Sequence, residues 1–181
     1  MKFYVMVDMQ NDFLYGALKV SNATDLVERV NNKLIEASTE ENSYLIITRD
    51  THHKEYLNTL EGKKLPVEHC IKGTEGWEID EMLKAAIDMF WEDNFTYIDK
   101  TTFGSFDLAE AIDQARVNDE ISEIEIFGVC TDICVVSCAL VLRTAFPNVK
   151  ITINQNLCAG SSIVAHEAAL KVMNSCQIDI I

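Results

Sequence analysis

Six short apolar runs alternate along this chain with segments of helical period, and that alternation leaves little choice of architecture. Residues 3–7 end at Asp8, residues 44–48 at Arg49-Asp50, residues 95–98 at Asp99-Lys100 and residues 124–127 at Gly128; residues 149–153 and 178–181 complete the set. Between the first two, Leu26, Val30, Leu34 and Ile35 recur at helical spacing up to about Ser38, with Thr24 or Asn22 as N-cap. Residues 77–87, residues 106–117 behind Ser105 and residues 132–144 repeat the helical pattern, and a last helix starts from Ser161 or Ser162 and runs to about Ser175. Strands alternating with helices imply right-handed βαβ units. The expected fold is therefore three-layer α/β, a mainly parallel six-stranded sheet with helices on both faces, Rossmann-like. Ligands bind such sheets beyond the carboxyl ends of the strands. Asp8, Asp50, Lys100 and Cys134 each fall at or just past such an end.

At 181 residues and 48% apolar content, the chain reads as a single domain, 1–181, able to bury a full core. A net charge of −14 argues against nucleic acid as a partner, since that needs a basic face. No run approaches transmembrane length, and Met1 to Val7 meets Asp8 too soon for a signal peptide, so no membrane association and a cytoplasmic location are expected. Six cysteines, at 70, 130, 134, 138, 158 and 176, lack CxxC spacing and read as reduced thiols. No GxGxxG or GxxxxGK follows the first strand, which removes the usual nucleotide-binding fingerprints.

Cys134 sits in the first turn of the helix that follows residues 124–127. Unpaired N–H groups and the positive end of the macrodipole at a helix start lower a thiol's pKa, so a thiolate is expected there. The same N–H groups can receive an oxyanion when the thiolate attacks a carbonyl. Lys100 would favour the thiolate, and Asp8 would take the thiol proton and return it to a leaving amine. Phe13, Phe103 and Trp77 are candidate aromatic walls, Phe13 and Phe103 being suitably spaced from Asp8 and Lys100. Cys130 and Cys138 read as packing residues, and His166, in the final helix, as a surface or interface residue.

Residues 51–76 form a long loop holding three of the four histidines. Asp50 and His52 stand in an Asp-x-His arrangement whose alternate side chains can face one ion, and His69 can return to it from the far end of the loop. Asp and two His are ordinary ligands for zinc, iron or manganese. His53 neighbours His52 and points the other way in an extended segment.

Taken together, Val7-Asp8 through Gln10, Asn11, Asp12 and Phe13, Asp50-Thr51-His52, the 69–76 stretch from His69 to Gly76, Asp99-Lys100 with Phe103 and Phe106, and Gly128 through Cys130 to Cys134 resemble the isochorismatase-like cysteine hydrolases, most closely the nicotinamidase/pyrazinamidase branch. The resemblance implies that Asp8, Lys100 and Cys134 form a catalytic triad. It also implies a cis peptide at Val129-Cys130 and an oxyanion hole from the backbone N–H groups of Cys130 and Cys134. It implies a divalent metal, zinc or else iron or manganese, beside the triad. Many members carry a further histidine after the first pair; here residues 54–58 hold none, and Glu61 lies where some members use a glutamate, Glu68 being the poorer substitute. The implied reaction is hydrolysis of nicotinamide to nicotinate and ammonia through a cysteine thioester, in NAD salvage. Two alternatives stand beside it: a related hydrolase of carbamoyl, ureido or other small amides without metal, and a non-catalytic α/β binding or interaction protein. A homo-oligomer is left open.

Overall fold

In a computed structural model of the protein, which describes residues 1–116 and 119–181, the expected α/β architecture is present. In chain order the strands are β1 (Lys2–Val7), β2 (Ser43–Asp50), β3 (Phe95–Lys100), β4 (Glu123–Val129), β5 (Ile151–Ala159) and β6 (Asp179–Ile180). The helices are α1 (Asn11–Leu14), α2 (Ala23–Ser38), α3 (Leu60–Lys64), α4 (Glu81–Ile87), α5 (Asp107–Arg116), α6 (Val136–Ala145) and α7 (Ile163–Ser175). All six strands are parallel, in the order β3-β2-β1-β4-β5-β6. Right-handed crossovers place α2 with α4 on one face and α5, α6 and α7 on the other. Among the described residues, no helix is long and apolar enough to cross a membrane.

The central strands explain the sequence pattern. Phe3 to Val7 and Ile124, Ile126, Phe127 and Val129 are buried, because β1 and β4 are central strands covered on both faces; β1 accordingly reads as a continuous apolar run, while in β4 Glu123 and Glu125 interrupt the pattern. The order in which strands are added to the sheet reverses between β1 and β4, and the crevice that opens at their carboxyl ends is where such sheets bind ligands. Gly128 is required there: its φ is +123°, and a Cβ would lie 2.1 Å from the Val7 carbonyl oxygen.

Several local expectations are corrected. The 51–76 segment, expected as a long loop, contains α3 and two short 3-10 turns, Tyr56–Asn58 and Glu75–Trp77. The helix expected from residue 77 starts at Glu81, because the Asp80 side chain caps the N–H groups of Met82 and Leu83. β5 continues to Ala159, past the polar residues Asn154 to Asn156. Ser162, not Ser161, caps α7 by accepting from Ala165 N. Of the expected 106–117 helix, Val117 lies outside the described residues.

Candidate active site

β1 ends at Asp8 with φ +51°, a left-handed conformation that an aspartate tolerates. Its carboxylate is buried and accepts the Thr48 hydroxyl at 2.6 Å on Oδ1. Lys100, the last residue of β3, reaches back so that Nζ lies 2.6 Å from Asp8 Oδ2, 3.5 Å from Cys134 Sγ and 3.7 Å from Asp50 Oδ1. The Cys134 thiol also faces Asp8. The three residues expected to form the triad are thus in mutual contact, in a pocket closed to solvent on the protein side.

Electrostatics revise one expectation. Burial, reinforced by the charge of Asp8, pushes the Cys134 thiol up; Lys100 pulls the other way and is outweighed. The helix-start argument did not include this burial, which works against the thiolate expected there. Burial also pushes the Asp8 carboxyl up against the pull of Lys100, which makes it a better proton acceptor than an exposed aspartate. Burial acts to lower Lys100, but Asp8, Cys134 and Asp50 together outweigh it and keep the ammonium protonated. Cys130 and Cys138 are pushed up to about 12 by burial, in keeping with packing roles.

The turn after β4 carries the backbone donors. The Val129-Cys130 peptide is cis. Thr131–Val135 forms a single π-helical turn before α6, wider than the α-helical start expected from the sequence. The carbonyl of Cys130 accepts from Ile133 N and Val135 N, each at 3.1 Å, and passes over Cys134 N. Cys134 N is therefore not engaged by the Cys130 carbonyl, as it would be in an α-helical start.

Beside the triad, Asp50, His52 and His69 bring their ligand atoms together, all three buried. Asp50 Oδ2 lies 3.1 Å from His52 Nε2 and 3.4 Å from His69 Nε2. These match the edges, about 3.3 Å, of a tetrahedron of zinc ligands with bonds near 2.0 Å. Glu61 Oε1 stands 3.6 Å from His52 Nε2 and 4.0 Å from His69 Nε2. Two observations test whether a cation fits. His69 Nδ1 pairs with the Val67 carbonyl at 2.8 Å, which fixes the proton there and turns the Nε2 lone pair toward Asp50. His52 Nε2 is buried without a hydrogen-bond partner, a polar atom that a metal ion would satisfy.

Residues that sequence reasoning did not single out hold this cluster in place. Gln10 Oε1 accepts Asp50 N at 2.7 Å while its Nε2 donates to the carbonyls of Asp50 and Trp77. The His52 backbone pairs with Cys70 and Lys72, and this bridge returns His69 to His52. Tyr56 packs its ring against both imidazoles, centroids 4.5 and 5.0 Å away. Only the apolar-polar mixture of the loop hinted at that role.

A cavity of about 430 Å³ joins the two groups, with Cys130 and Cys134 at one end and Asp50, Glu61 and His69 at another. Phe13, Val20, Leu65, Phe103 and Ile133 supply apolar walls, so both expected aromatics line it. Phe13 is buried and Phe103 is half-exposed at the mouth. Trp77 is not part of the cavity: it packs under Arg49, whose guanidinium carbon is 4.0 Å from the ring centroid, and donates to Thr51 Oγ1. His166 is not a free surface residue either, since its Nδ1 lies 2.8 Å from Thr131 Oγ1.

The isochorismatase domain, as a family model, matches residues 2–181. The uncharacterized isochorismatase family protein PncA of Bacillus subtilis (strain 168) is 28% identical over 142 residues, covering 77% of this chain and 76% of that protein. The crystal structure of nicotinamidase PncA from Bacillus subtilis superposes with a TM-score of 0.81 at 29% identity, covering 99% of this chain and 98% of that one. A pyrazinamidase of Pyrococcus horikoshii in complex with zinc gives a TM-score of 0.77 at 24% identity, with 99% and 98% covered, a likeness of fold.

Proposed function

The chain belongs to the isochorismatase family, and from that premise we propose that it is a hydrolase of amide bonds whose substrate is nicotinamide, released as nicotinate and ammonia in NAD salvage. The observation that carries the reading is buried Lys100 held between Asp8 and Cys134, with Cys134 lining an apolar cavity that Asp50 and His69 of the neighbouring cluster also line. A flat heteroaromatic amide suits walls such as Phe13 and Phe103, with few polar groups to fix its orientation.

In this mechanism Cys134 Sγ attacks the amide carbonyl while its proton passes to Asp8, whose raised pKa suits it to accept. Lys100 keeps its positive charge beside both groups and offsets the charge that builds on sulfur. The N–H groups of Cys130 and Cys134 receive the carbonyl oxygen as it becomes negative. Asp8 returns the proton to nitrogen, the C–N bond breaks, and ammonia leaves a thioester on Cys134. Water then adds to the thioester carbonyl, giving a proton to Asp8. The C–S bond breaks, Asp8 reprotonates the sulfur and nicotinate departs. Asp50, His52 and His69, with Glu61 nearest among further ligands, would hold a divalent metal, zinc by the chemistry of the donor set. Such an ion supplies a Lewis acid for the ring nitrogen and for water.

Ammonia release from nicotinamide by the purified protein, before and after chelation and after zinc restoration, tests the proposal. Release that falls on chelation and returns with zinc is the expected result. If none appears with any divalent metal, the nicotinamide assignment is wrong, and carbamoyl and ureido compounds become the substrates to try.

A further inference from the structure

The wide turn at Thr131–Val135 is tied to the start of α7 by two side-chain tethers that lie outside the triad and the metal cluster. Thr131, completely buried, meets His166 Nδ1 at 2.8 Å through its hydroxyl. Asp132 accepts from Ser161 twice, Oδ1 from the backbone N at 2.8 Å and Oδ2 from the hydroxyl at 2.6 Å. The close fit leaves no room for a larger residue at Gly160, where a Cβ would lie 2.8 Å from both Asp132 Oδ1 and His166 Cβ.

The alternative these contacts oppose is an ordinary α-helical start. In that geometry Cys134 N–H would bond the Cys130 carbonyl four residues back and would no longer be available to an oxyanion. The observed turn instead sends Ile133 N and Val135 N to that carbonyl. Single π-turns of this kind are uncommon and recur at functional sites. We propose that His166 and Asp132 are positioning residues, with His166 acting through Thr131, that hold the turn in its wide form and so keep the Cys134 N–H open as an oxyanion donor. The inference rests on the reading of Cys134 as nucleophile in the preceding subsection. It assigns to α7 a part in the reaction without contact between His166 and the reacting atoms.

Pyridine-3-carbaldehyde, added to the metal-loaded protein at fixed pH, reports on this donor without requiring amide turnover. The Cys134 S–C bond forms as the carbonyl π-bond opens, the thiol proton ends on the carbonyl oxygen or on Asp8, and nothing leaves. The adduct's oxygen occupies the place of the oxyanion. We expect His166→Ala and Thr131→Val each to weaken the adduct roughly tenfold, short of the 10²–10³ for outright loss of a donor. Turnover should fall by a similar factor in kcat with KM within about twofold. The double variant should match either single one, because one tether is lost in both, and His166→Asn, which restores a polar atom near the Nδ1 position, should recover most of the affinity. Single variants within twofold of the wild type, or losses that multiply in the double variant, overturn the proposal. A wild-type adduct no tighter than that of a free alkyl thiol also overturns it. A tight, tether-dependent adduct in a protein that turns over no nicotinamide would support the tether while removing the substrate assignment alone.

Discussion

Replacing Lys100 with methionine tests the electrostatic design of the site most directly. The ammonium is buried and lies 2.6 Å from Asp8, 3.7 Å from Asp50 and 3.5 Å from Cys134, so methionine fills the volume and leaves two carboxylates facing one another in a dry pocket. Removing one partner of a buried ion pair costs about 3–5 kcal/mol. At about 2–4 °C per kcal/mol for a domain of this size, Tm should fall by roughly 6–20 °C at pH 8. The loss should shrink at pH 5. Asp8 is already raised by burial and, without Lys100, is raised further, so the folded variant binds a proton more tightly than the unfolded chain. A group of that kind gains stability as pH falls through its folded pKa. Calorimetry on wild type and variant after chelation, at both pH values, provides the check. A Tm drop below about 3 °C at pH 8, or one that grows on acidification, would refute the argument that Lys100 compensates buried carboxylates.

Cys134→Ala should lower turnover by at least about 10⁴-fold while leaving metal content intact, as single-turnover assays and metal analysis would show; substantial residual turnover would sink the thioester route. The acid limb of kcat/KM should lie above the ordinary carboxylate range, because activity is lost as Asp8 takes up its proton and burial pushes that carboxyl up; a pH profile with no limb above that range contradicts the assignment of Asp8 as base. Glu61→Gln should weaken zinc roughly 10–100-fold by calorimetric titration; unchanged affinity would remove Glu61 from the ligand set and leave the Asp50, His52 and His69 assignment standing.

Much of the site was readable from the chain because its residues follow strands. Asp8 and Lys100 come at the ends of β1 and β3, and a parallel sheet with β1 beside β4 gathers such ends without further information. Asp50 and His52 likewise ride out of β2 as a pair. What escaped the sequence depends on contacts between distant segments. The upward push on the Cys134 thiol comes from burial, which a helix-start argument does not contain. His166 meets Thr131 across 35 residues, and nothing in the composition of α7 signals it. Trp77 sits within a helical spacing pattern, but Asp80 caps the helix three residues later and the indole packs under Arg49 instead. β5 overran its expected end because Cys158 and Ala159 resume pairing with Gly128 and Val129 of β4 beyond the polar stretch, where Gln155 N bonds the Ile181 carbonyl.

Asp50 belongs to two constellations at once: Oδ2 faces both imidazoles, while Oδ1 faces Lys100. On the proposed reading, metal choice and nucleophile chemistry are consequently not separable modules in this scaffold. An engineer who exchanged Asp50 for a neutral ligand to favour a softer metal would also strip an anionic neighbour from Lys100. Divergence toward new substrates meets the same constraint, so the two parts must change together or the variation must be confined to the apolar walls.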